Sequence, residues 1–206
     1  MKPLSHASLV PSSYLHCIPF DSFSDQRELD ISRLYSQPDK VWVMRSRGWN
    51  NRINLDGLVT FAGVPSSAFT QVFRTGIVES VEAALLNREF NGIKNIPSAG
   101  YEQTVLEHLP RCFALLKELG IAPPLAVALS LVNVAGSQMI ASQHDYDLNK
   151  RYQITQQHIV LPEVVVDSLD EDPAKILKPT FDLVWNAFGY AESWNFDDEG
   201  QWIQRR

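Results

Sequence analysis

The fold of this chain is decided by residues 98–134, which read SAGYEQTVLEHLPRCFALLKELGIAPPLAVALSLVNV. In the first part of this stretch apolar side chains recur every three or four positions, as on the buried face of a helix. Ser98 is expected to cap this helix and Gly120 to end it, while Pro110 predicts either a kink or a helix that begins later than this cap. The apolar residues 124–134 then predict a buried strand. The positions that draw the buried face of the helix are Val105, Leu109, Phe113 and Leu116.

Segments on both sides of this stretch predict more β structure. Residues 67–86 are interpreted as two strands that meet at Thr75 and Gly76, although a helix also fits their second half. Pro162 favours a sheet edge for the strand that contains it. A short helix capped by Ser24 is expected within 23–37, and an amphipathic helix capped by Asp172 over 172–189. The predicted strands cover 13–20, 40–46, 53–63, 67–86, 124–134 and 158–167.

This order of elements predicts an α+β fold, an antiparallel-rich sheet with two main helices packed on it. A length of 206 residues favours one domain. Residues 1–12 are expected to be a flexible lead-in and 13–206 a single globular α+β domain. The apolar face of the last helix predicts that Trp185 is buried.

The composition describes a globular protein with an acidic surface. Apolar residues make up 45% of the chain and charged residues 20%, and the formal net charge is −6. Such a charge disfavours binding to duplex DNA or to an anionic membrane by bulk attraction, so any contact with nucleic acid needs a local basic patch. The two cysteines, Cys17 and Cys112, lie among apolar neighbours and favour a reducing compartment. Without a recognisable signal peptide at the N-terminus, we expect a cytoplasmic protein that binds no membrane.

A search for catalytic signatures finds none of the common ones. The sequence has no glycine-rich phosphate loop, no HExxH or CxxC metal motif and no GxSxG elbow. Residues 195–200, NFDDEG, match the start of a calcium loop, but position twelve is Arg206 where a glutamate is needed. Residues 144–147, HDYD, are interpreted as a polar loop rather than a metal cluster. We therefore expect no catalytic residue, no metal and no cofactor.

Residues 45–57, RSRGWNNRINLDG, are the richest candidate for ligand binding. Arginine with tryptophan makes a surface for phosphates and bases, whereas asparagine, aspartate and glycine build turns. An ordered turn before the strand GLVTF, with Arg52 paired to Asp56, is the favoured interpretation. Arg74 is expected to form a second pair, either with Glu79 on the other side of Gly76 or with Asp56 on the neighbouring strand. The residues of the predicted ligand site are Arg47, Trp49, Asn50, Arg52, Arg74 and Glu79.

The chain resembles the C-terminal accessory region of bacterial proteins that carry an AlbA-like (Schlafen-type) DNA-binding domain. The AlbA-like domain itself is not recognisable in the sequence, so the DNA-binding property of the family is not expected here. The resemblance covers most of the chain, in LHCIPFDSF, in Gly48-Trp49-Asn50 with Arg52, in Asn54-Leu55-Asp56-Gly57, in Phe73-Arg74, Gly76-Ile77 and Glu79, in Leu161-Pro162-Glu163, in the helix with Pro179, Phe181-Asp182, Trp185-Asn186 and Gly189, and in Ser193, Asn195, Asp197, Gly200 and Trp202.

The resemblance implies a non-catalytic sensor or interaction domain that serves an AlbA-like DNA-binding regulator or a defence-type system. Such a domain is expected to bind a protein partner or a second copy of itself, and not to bind specific DNA alone. The alternative is a small-molecule or nucleotide-binding domain with an arginine-rich anion site, with or without hydrolytic activity. A third possibility is oligomerisation through the strand edge near 158–167. Clustering of Arg47, Arg52, Arg74 and Glu79 would favour the ligand-binding alternative, and dispersal would favour the interaction domain.

Overall fold

The structure of the chain is a computed structural model that describes residues 10–24, 28–63, 67–90, 92–141 and 152–203. In these ranges the α-helices are α1 (Ile31–Tyr35), α2 (Ser98–Glu118) and α3 (Pro173–Ala187). Short 3-10 helices cover Phe20–Phe23 and Pro38–Lys40. The strands are β1 (Ser12–Pro19), β2 (Asn50–Ile53), β3 (Gly57–Ala62), β4 (Ala68–Phe73), β5 (Val78–Glu82), β6 (Arg88–Phe90), β7 (Ile93–Pro97), β8 (Leu125–Val132), β9 (Gln138–Ile140), β10 (His158–Val160) and β11 (Val164–Val166).

Eight of these strands form one antiparallel sheet, in the order β10-β8-β1-β5-β4-β3-β2, with β11 also paired to β8. Both β10 and β11 lie at the edge of β8 that faces away from β1. The remaining strands, β6, β7 and β9, form a small second sheet in which β7 and β9 run parallel. The helices α2 and α3 contact each other and pack on the large sheet. The predicted α+β fold is therefore confirmed.

One face of the large sheet lies under α2. Successive side chains of a strand point to opposite faces, so Ser80 of β5 and Thr70 of β4, which are paired in register, share a face. His108 of α2 contacts Ser80 from above, with 2.8 Å between Nε2 and Oγ. Ser80 and Thr70 are both fully buried at this interface. Polar side chains of the sheet are thus enclosed between α2 and the strands, where each needs a partner within the protein.

The last helix, α3, begins and packs as its sequence predicts. The carboxylate of Asp172 accepts a hydrogen bond from the Ala174 amide at 3.0 Å, and Pro173 occupies the first turn. Trp185 is 1% exposed, which confirms its predicted burial. Its indole Nε1 donates to Glu102 of α2 at 2.7 Å.

Glu102 is the centre of a buried polar cluster that fastens the C-terminal segment to α2. Its carboxylate is fully buried and accepts four hydrogen bonds of 2.7 to 2.9 Å, two at each oxygen. Burial raises the pKa of this carboxyl, while the four hydrogen bonds act to lower it. The donors are the side chains of Trp185, Ser193, Asn195 and Trp202, and we call these residues with Glu102 the Glu102 cluster.

Several local predictions were wrong, and tertiary contacts explain them. Residues 40–46 form no strand, because the segment crosses the sheet as an irregular chain. Ser24 does not cap α1, since Asp30 accepts from the Ser32 amide at 3.0 Å. Ser98 is the first residue of α2 rather than its cap, and its hydroxyl donates to the Ala141 carbonyl at 3.4 Å. The later start of α2 that Pro110 allowed is also wrong, because Pro110 lies within the helix.

The edges of the sheets differ in how well the sequence predicts them. The predicted strand at 158–167 is split into β10 and β11 on either side of Pro162, at the sheet edge as expected. The small sheet of β6, β7 and β9 was not predicted at all. β1 begins at Ser12, at the end of the predicted lead-in, of which residues 1–9 lie outside the described residues. Within the described ranges, no helix has the length and apolar character needed to cross a membrane.

Candidate anion-binding cavity

The predicted ligand-site residues are dispersed over the large sheet. Glu79 lies on the face opposite Ser80, with its Oε2 at 2.8 Å from Nε2 of His16. Arg74 donates through Nε to the Leu55 carbonyl at 3.1 Å. The predicted partners of Arg74, Glu79 or Asp56, are therefore wrong, because the carboxylate within 4.0 Å of its guanidinium is that of Glu28, at 3.9 Å. The turn between β4 and β5 is confirmed, with Gly76 at a φ of 92°.

The 45–57 stretch divides into a turn and a hairpin strand. Asn54 accepts a hydrogen bond from the Gly57 amide at 2.8 Å, which is the turn chemistry predicted for this segment. Arg52 lies 5.8 Å from the ring centre of Phe61 and makes no ion pair with a described carboxylate, so its predicted pairing with Asp56 is wrong.

Asn50 and Trp49 take different roles from the ligand contacts predicted for them. Asn50 begins β2 and is exposed at the outer edge of the sheet. Trp49 donates its indole N–H to the Pro38 carbonyl at 2.9 Å, and its ring lies 5.2 Å from that of Trp42. Of the six predicted residues, Arg47 lines a cavity together with two further arginines.

This cavity lies between residues 42–47 and one side of α2. Its volume is about 330 Å³. The α2 residues that line it are spaced by three, one and three positions, so they form one stripe along the helix. Three of the lining residues are arginines, and we call it the arginine cavity. It is lined by Trp42, Arg45, Ser46, Arg47, Thr104, Glu107, His108 and Arg111.

Two threonine hydroxyls fix the loop side of the arginine cavity. Thr60 donates to the Val41 carbonyl at 3.0 Å, and Thr70 donates to the Trp42 carbonyl at 2.6 Å. These bonds satisfy the backbone of a segment that has no strand partner. Directly after it Arg45 has a φ of 55°, in the left-handed region that arginine rarely occupies. Such backbone conformations recur at functional sites, where the surrounding structure holds them in place.

An aromatic platform fixes the helix side of the cavity. The guanidinium of Arg111 lies 3.8 Å from the ring centre of Trp42. The Trp42 ring is itself held against Trp49. A guanidinium stacked in this way stays charged and keeps its N–H donors free at the edge of its plane. The stack therefore orients Arg111 without neutralising it.

The three arginines are not neutralised by the described part of the chain. None of Arg45, Arg47 and Arg111 has a described carboxylate within 4.0 Å of its guanidinium nitrogens. Glu107 is the one carboxylate among the lining residues, and it accepts a hydrogen bond from Gln103 at 2.8 Å. Converging guanidinium groups repel one another unless an anion lies between them. The cavity is therefore complementary to an anion.

A buried acid lies behind this positive region. Burial raises the pKa of Glu82, whose carboxylate accepts from the Leu85 and Ala84 amides and feels the charges of Arg45 and Arg88. Those backbone donors hold the carboxylate in the turn after β5. Glu82 thus moderates the field of Arg45 from a distance but does not occupy the cavity.

His108 is the buried titratable residue of the cavity. It is 2% exposed, and its Nδ1 has no hydrogen-bond partner, whereas Nε2 contacts Ser80. A buried nitrogen without a partner costs about 1–3 kcal/mol and calls for an explanation. No group of three or more metal-ligating side chains occurs among the residues described.

The sequence analysis predicted one of the three cavity arginines, Arg47, to be a site residue. Arg45 belongs to the same stretch as Arg47, but nothing in the sequence separates it from the turn formers. Arg111 lies between Pro110 and Cys112 on α2, where the apolar period predicts the buried residues of the helix but does not mark Arg111 as a ligand contact. Comparison with models of known families, with curated proteins and with solved structures finds no match to the chain.

Proposed function

We propose that this chain is a non-catalytic sensor domain that binds a phosphate-bearing anion in the arginine cavity. The observation that carries the proposal is that Arg45, Arg47 and Arg111 line one cavity and that none of them has a described carboxylate within 4.0 Å of its guanidinium nitrogens. Guanidinium groups recognise phosphate by paired N–H···O bonds and hold it in a fixed orientation.

The size and lining of the cavity support a small ligand rather than a polymer. A volume of about 330 Å³ is at the lower end of small-molecule sites. Both neighbours of the Trp42 ring, Arg111 and Trp49, are already in place, so stacking of a base on Trp42 is not favoured. Glu107 offers an acceptor for a hydroxyl or amino group of the ligand. A small phosphorylated metabolite fits these features better than a nucleic acid.

Calorimetry with inorganic pyrophosphate tests the proposal. We expect the wild-type chain to bind it, and Arg47→Gln and Arg111→Gln each to weaken binding at least about tenfold, the effect of one lost charged hydrogen bond. Arg33→Gln, at an exposed arginine of α1 that does not line the cavity, is the matched control and should bind as the wild type does. Absence of binding by the wild type would refute the proposal.

The role of the ligand rests on the resemblance to accessory regions of AlbA-like DNA-binding proteins. We propose that the chain senses the anion and reports it to such a regulator in the cytoplasm. The buried thiols of Cys17 and Cys112, both free, agree with a reducing compartment. Three arginines in one small cavity are too few for specific duplex binding. A mobility-shift assay should therefore show no sub-micromolar, sequence-dependent binding by the chain alone.

The outer edge of the large sheet supports a second candidate, docking of a protein partner or a second copy. At this edge Val160 of β10 and Val165 of β11 are 77% and 52% exposed. Exposed apolar edge strands favour pairing with another chain. Val160→Lys should then lower the oligomeric mass measured by light scattering, with Leu183→Lys, an exposed position on α3, as the control. A monomeric wild type would rule out self-association.

A further inference from the structure

The arginine cavity is longer than a single phosphate group needs. Its stripe on α2 runs from Thr104 to Arg111, seven positions apart. A helical rise of about 1.5 Å per residue makes this stripe about 10 Å long. Liquid water takes about 30 Å³ per molecule, and a phosphate group has the bulk of roughly two or three waters. One phosphate therefore leaves most of the cavity volume of about 330 Å³ unfilled.

Arg111 marks one end of this stripe, beside the tryptophans. Its guanidinium lies 3.8 Å from the ring centre of Trp42, which is 5.2 Å from the ring centre of Trp49. The loop residue Arg47 precedes Trp49 by two positions, so their backbones lie within about 7 Å of each other. Both arginines line the cavity. The end of the cavity beside the tryptophans therefore offers two guanidinium groups.

Arg45 lies towards the other end, near the first turns of α2. Its charge acts on the buried carboxylate of Glu82, which accepts a hydrogen bond from the Leu85 amide at 3.0 Å. The Leu85 side chain packs against Gly100, 3.7 Å from where a Cβ of that glycine would stand. Thr104 donates to the Gly100 carbonyl at 2.7 Å, which joins this region to the start of the stripe. Arg45 is therefore separated along the helix from the end beside the tryptophans.

The two ends of the cavity differ in the charge that lies behind them. The field of Arg45 is moderated by the carboxylate of Glu82, whereas Arg111 is stacked on the uncharged ring of Trp42. A single phosphate is therefore held best by Arg47 and Arg111, where paired guanidinium donors meet no opposing charge of this kind. Arg45 remains available to a second anionic group.

The middle of the stripe carries the one carboxylate among the lining residues. Glu107 lies between Thr104 and Arg111 on α2 and accepts a hydrogen bond from Gln103 at 2.8 Å. A carboxylate repels a phosphate placed beside it, but it accepts a hydrogen bond from a hydroxyl group. The middle of the ligand is therefore expected to be uncharged and to carry hydroxyl groups.

We infer that the arginine cavity binds a bisphosphate of a small polyol, with one phosphate between Arg47 and Arg111 and the other at Arg45. This inference rests on the proposed function, since it names the ligand class of the same cavity. Two phosphate groups on one rigid spacer bind as a single ligand. The second contact then adds affinity without a second loss of translational freedom.

Calorimetry with inositol phosphates near neutral pH tests the spacing. Inositol 1,4-bisphosphate and inositol 4,5-bisphosphate have the same numbers of phosphate and hydroxyl groups, but they carry the phosphates on opposite and on neighbouring ring carbons. We expect the 1,4-isomer to bind at least about tenfold more tightly than the 4,5-isomer and than inositol 1-phosphate, the effect of one added charged contact. Equal affinities for the two isomers would refute the inference and leave the proposed function intact.

Arg45→Asn separates the contact with the second phosphate from the contact with the first. Asparagine suits the left-handed backbone at this position, where φ is 55°. The variant should bind the 1,4-isomer at least about tenfold more weakly and inositol 1-phosphate within about twofold of the wild type. Arg111→Gln should weaken both ligands, and Arg33→Gln neither.

Two outcomes would overturn the inference. An equal loss of the two ligands in Arg45→Asn would show that the three arginines hold one phosphate together. Failure of the wild type to bind any inositol phosphate would refute the inference alone if inorganic pyrophosphate binds, and the proposed function as well if it does not.

Discussion

The Glu102 cluster and the arginine cavity treat charge in opposite ways. Glu102 is a fully buried acid, and each of its oxygens accepts two hydrogen bonds from side chains of the same chain. The arginines of the cavity are charged groups at a concave surface without a described carboxylate within 4.0 Å. A charge that serves stability is satisfied inside the fold, whereas one left unmet among like charges is available to a ligand.

Removal of the buried Glu102 carboxylate is expected to have the largest effect on stability. Glu102→Ala leaves the donors of Trp185, Ser193, Asn195 and Trp202 without their acceptor, and should lower the free energy of unfolding by about 3–5 kcal/mol. Urea denaturation measures this change in the free energy of unfolding. Glu107→Ala, at an exposed position of the same helix, should change the free energy by less than about 0.5 kcal/mol. A similar small loss in both variants would show that the Glu102 cluster does not stabilise the fold.

A smaller loss of stability is expected when a single hydrogen-bond donor of the Glu102 cluster is removed. Trp185→Phe keeps most of the buried ring but removes the indole N–H that donates to Glu102 at 2.7 Å. The free energy of unfolding should fall by about 1–3 kcal/mol. Trp194→Phe is the matched control, since Trp194 is 42% exposed and belongs to the same aromatic group. An equal loss in the two variants would assign the effect to ring volume.

The smallest effect on stability is expected in the arginine cavity. Arg47→Gln removes one of three like charges, so the free energy of unfolding in phosphate-free, low-salt buffer should stay within about 0.5 kcal/mol of the wild type. Addition of phosphate should then stabilise the wild type more than the variant, because binding to the folded state shifts unfolding. Thermal denaturation with and without phosphate checks both statements. A large loss without phosphate would make Arg47 a structural residue like Glu102.

The elements that the sequence predicted are those whose signal is local. The period of α2, the Asp172 cap and Gly76 between two strands each depend on neighbours in the chain. Residues 40–46 were predicted to form a strand because apolar residues alternate there, and Val41 and Val43 are indeed buried. The prediction was wrong because the carbonyls of Val41 and Trp42 accept hydrogen bonds from threonine side chains and not from a neighbouring strand. No local pattern distinguishes these two outcomes.

The site was less predictable than the fold because it depends on long-range contacts. Arg47 was predicted as a site residue from the stretch 45–57. Arg111 lies 64 positions later, on a helix whose sequence pattern indicates only the buried face. Arg74 and Glu79, though close in sequence, separate because Arg74 bonds to the turn before β3 and Glu79 pairs with β1. The sequence analysis therefore asked whether the wrong residues cluster, because Arg47 shares its cavity with Arg45 and Arg111 rather than with Arg52, Arg74 and Glu79.

The Glu102 cluster also sets an order of events during synthesis. The four donors to Glu102 are separated from it by 83, 91, 93 and 100 positions, all towards the C-terminus. While a ribosome is still making the last of these residues, α2 carries a carboxylate that cannot be buried without cost. The helix and the sheet can form early, but their tight association must wait for Trp202 to emerge. Burial of Glu102 is therefore completed only when residues 185–202 are present, and a chain cut before Ser193 should be retained by chaperones.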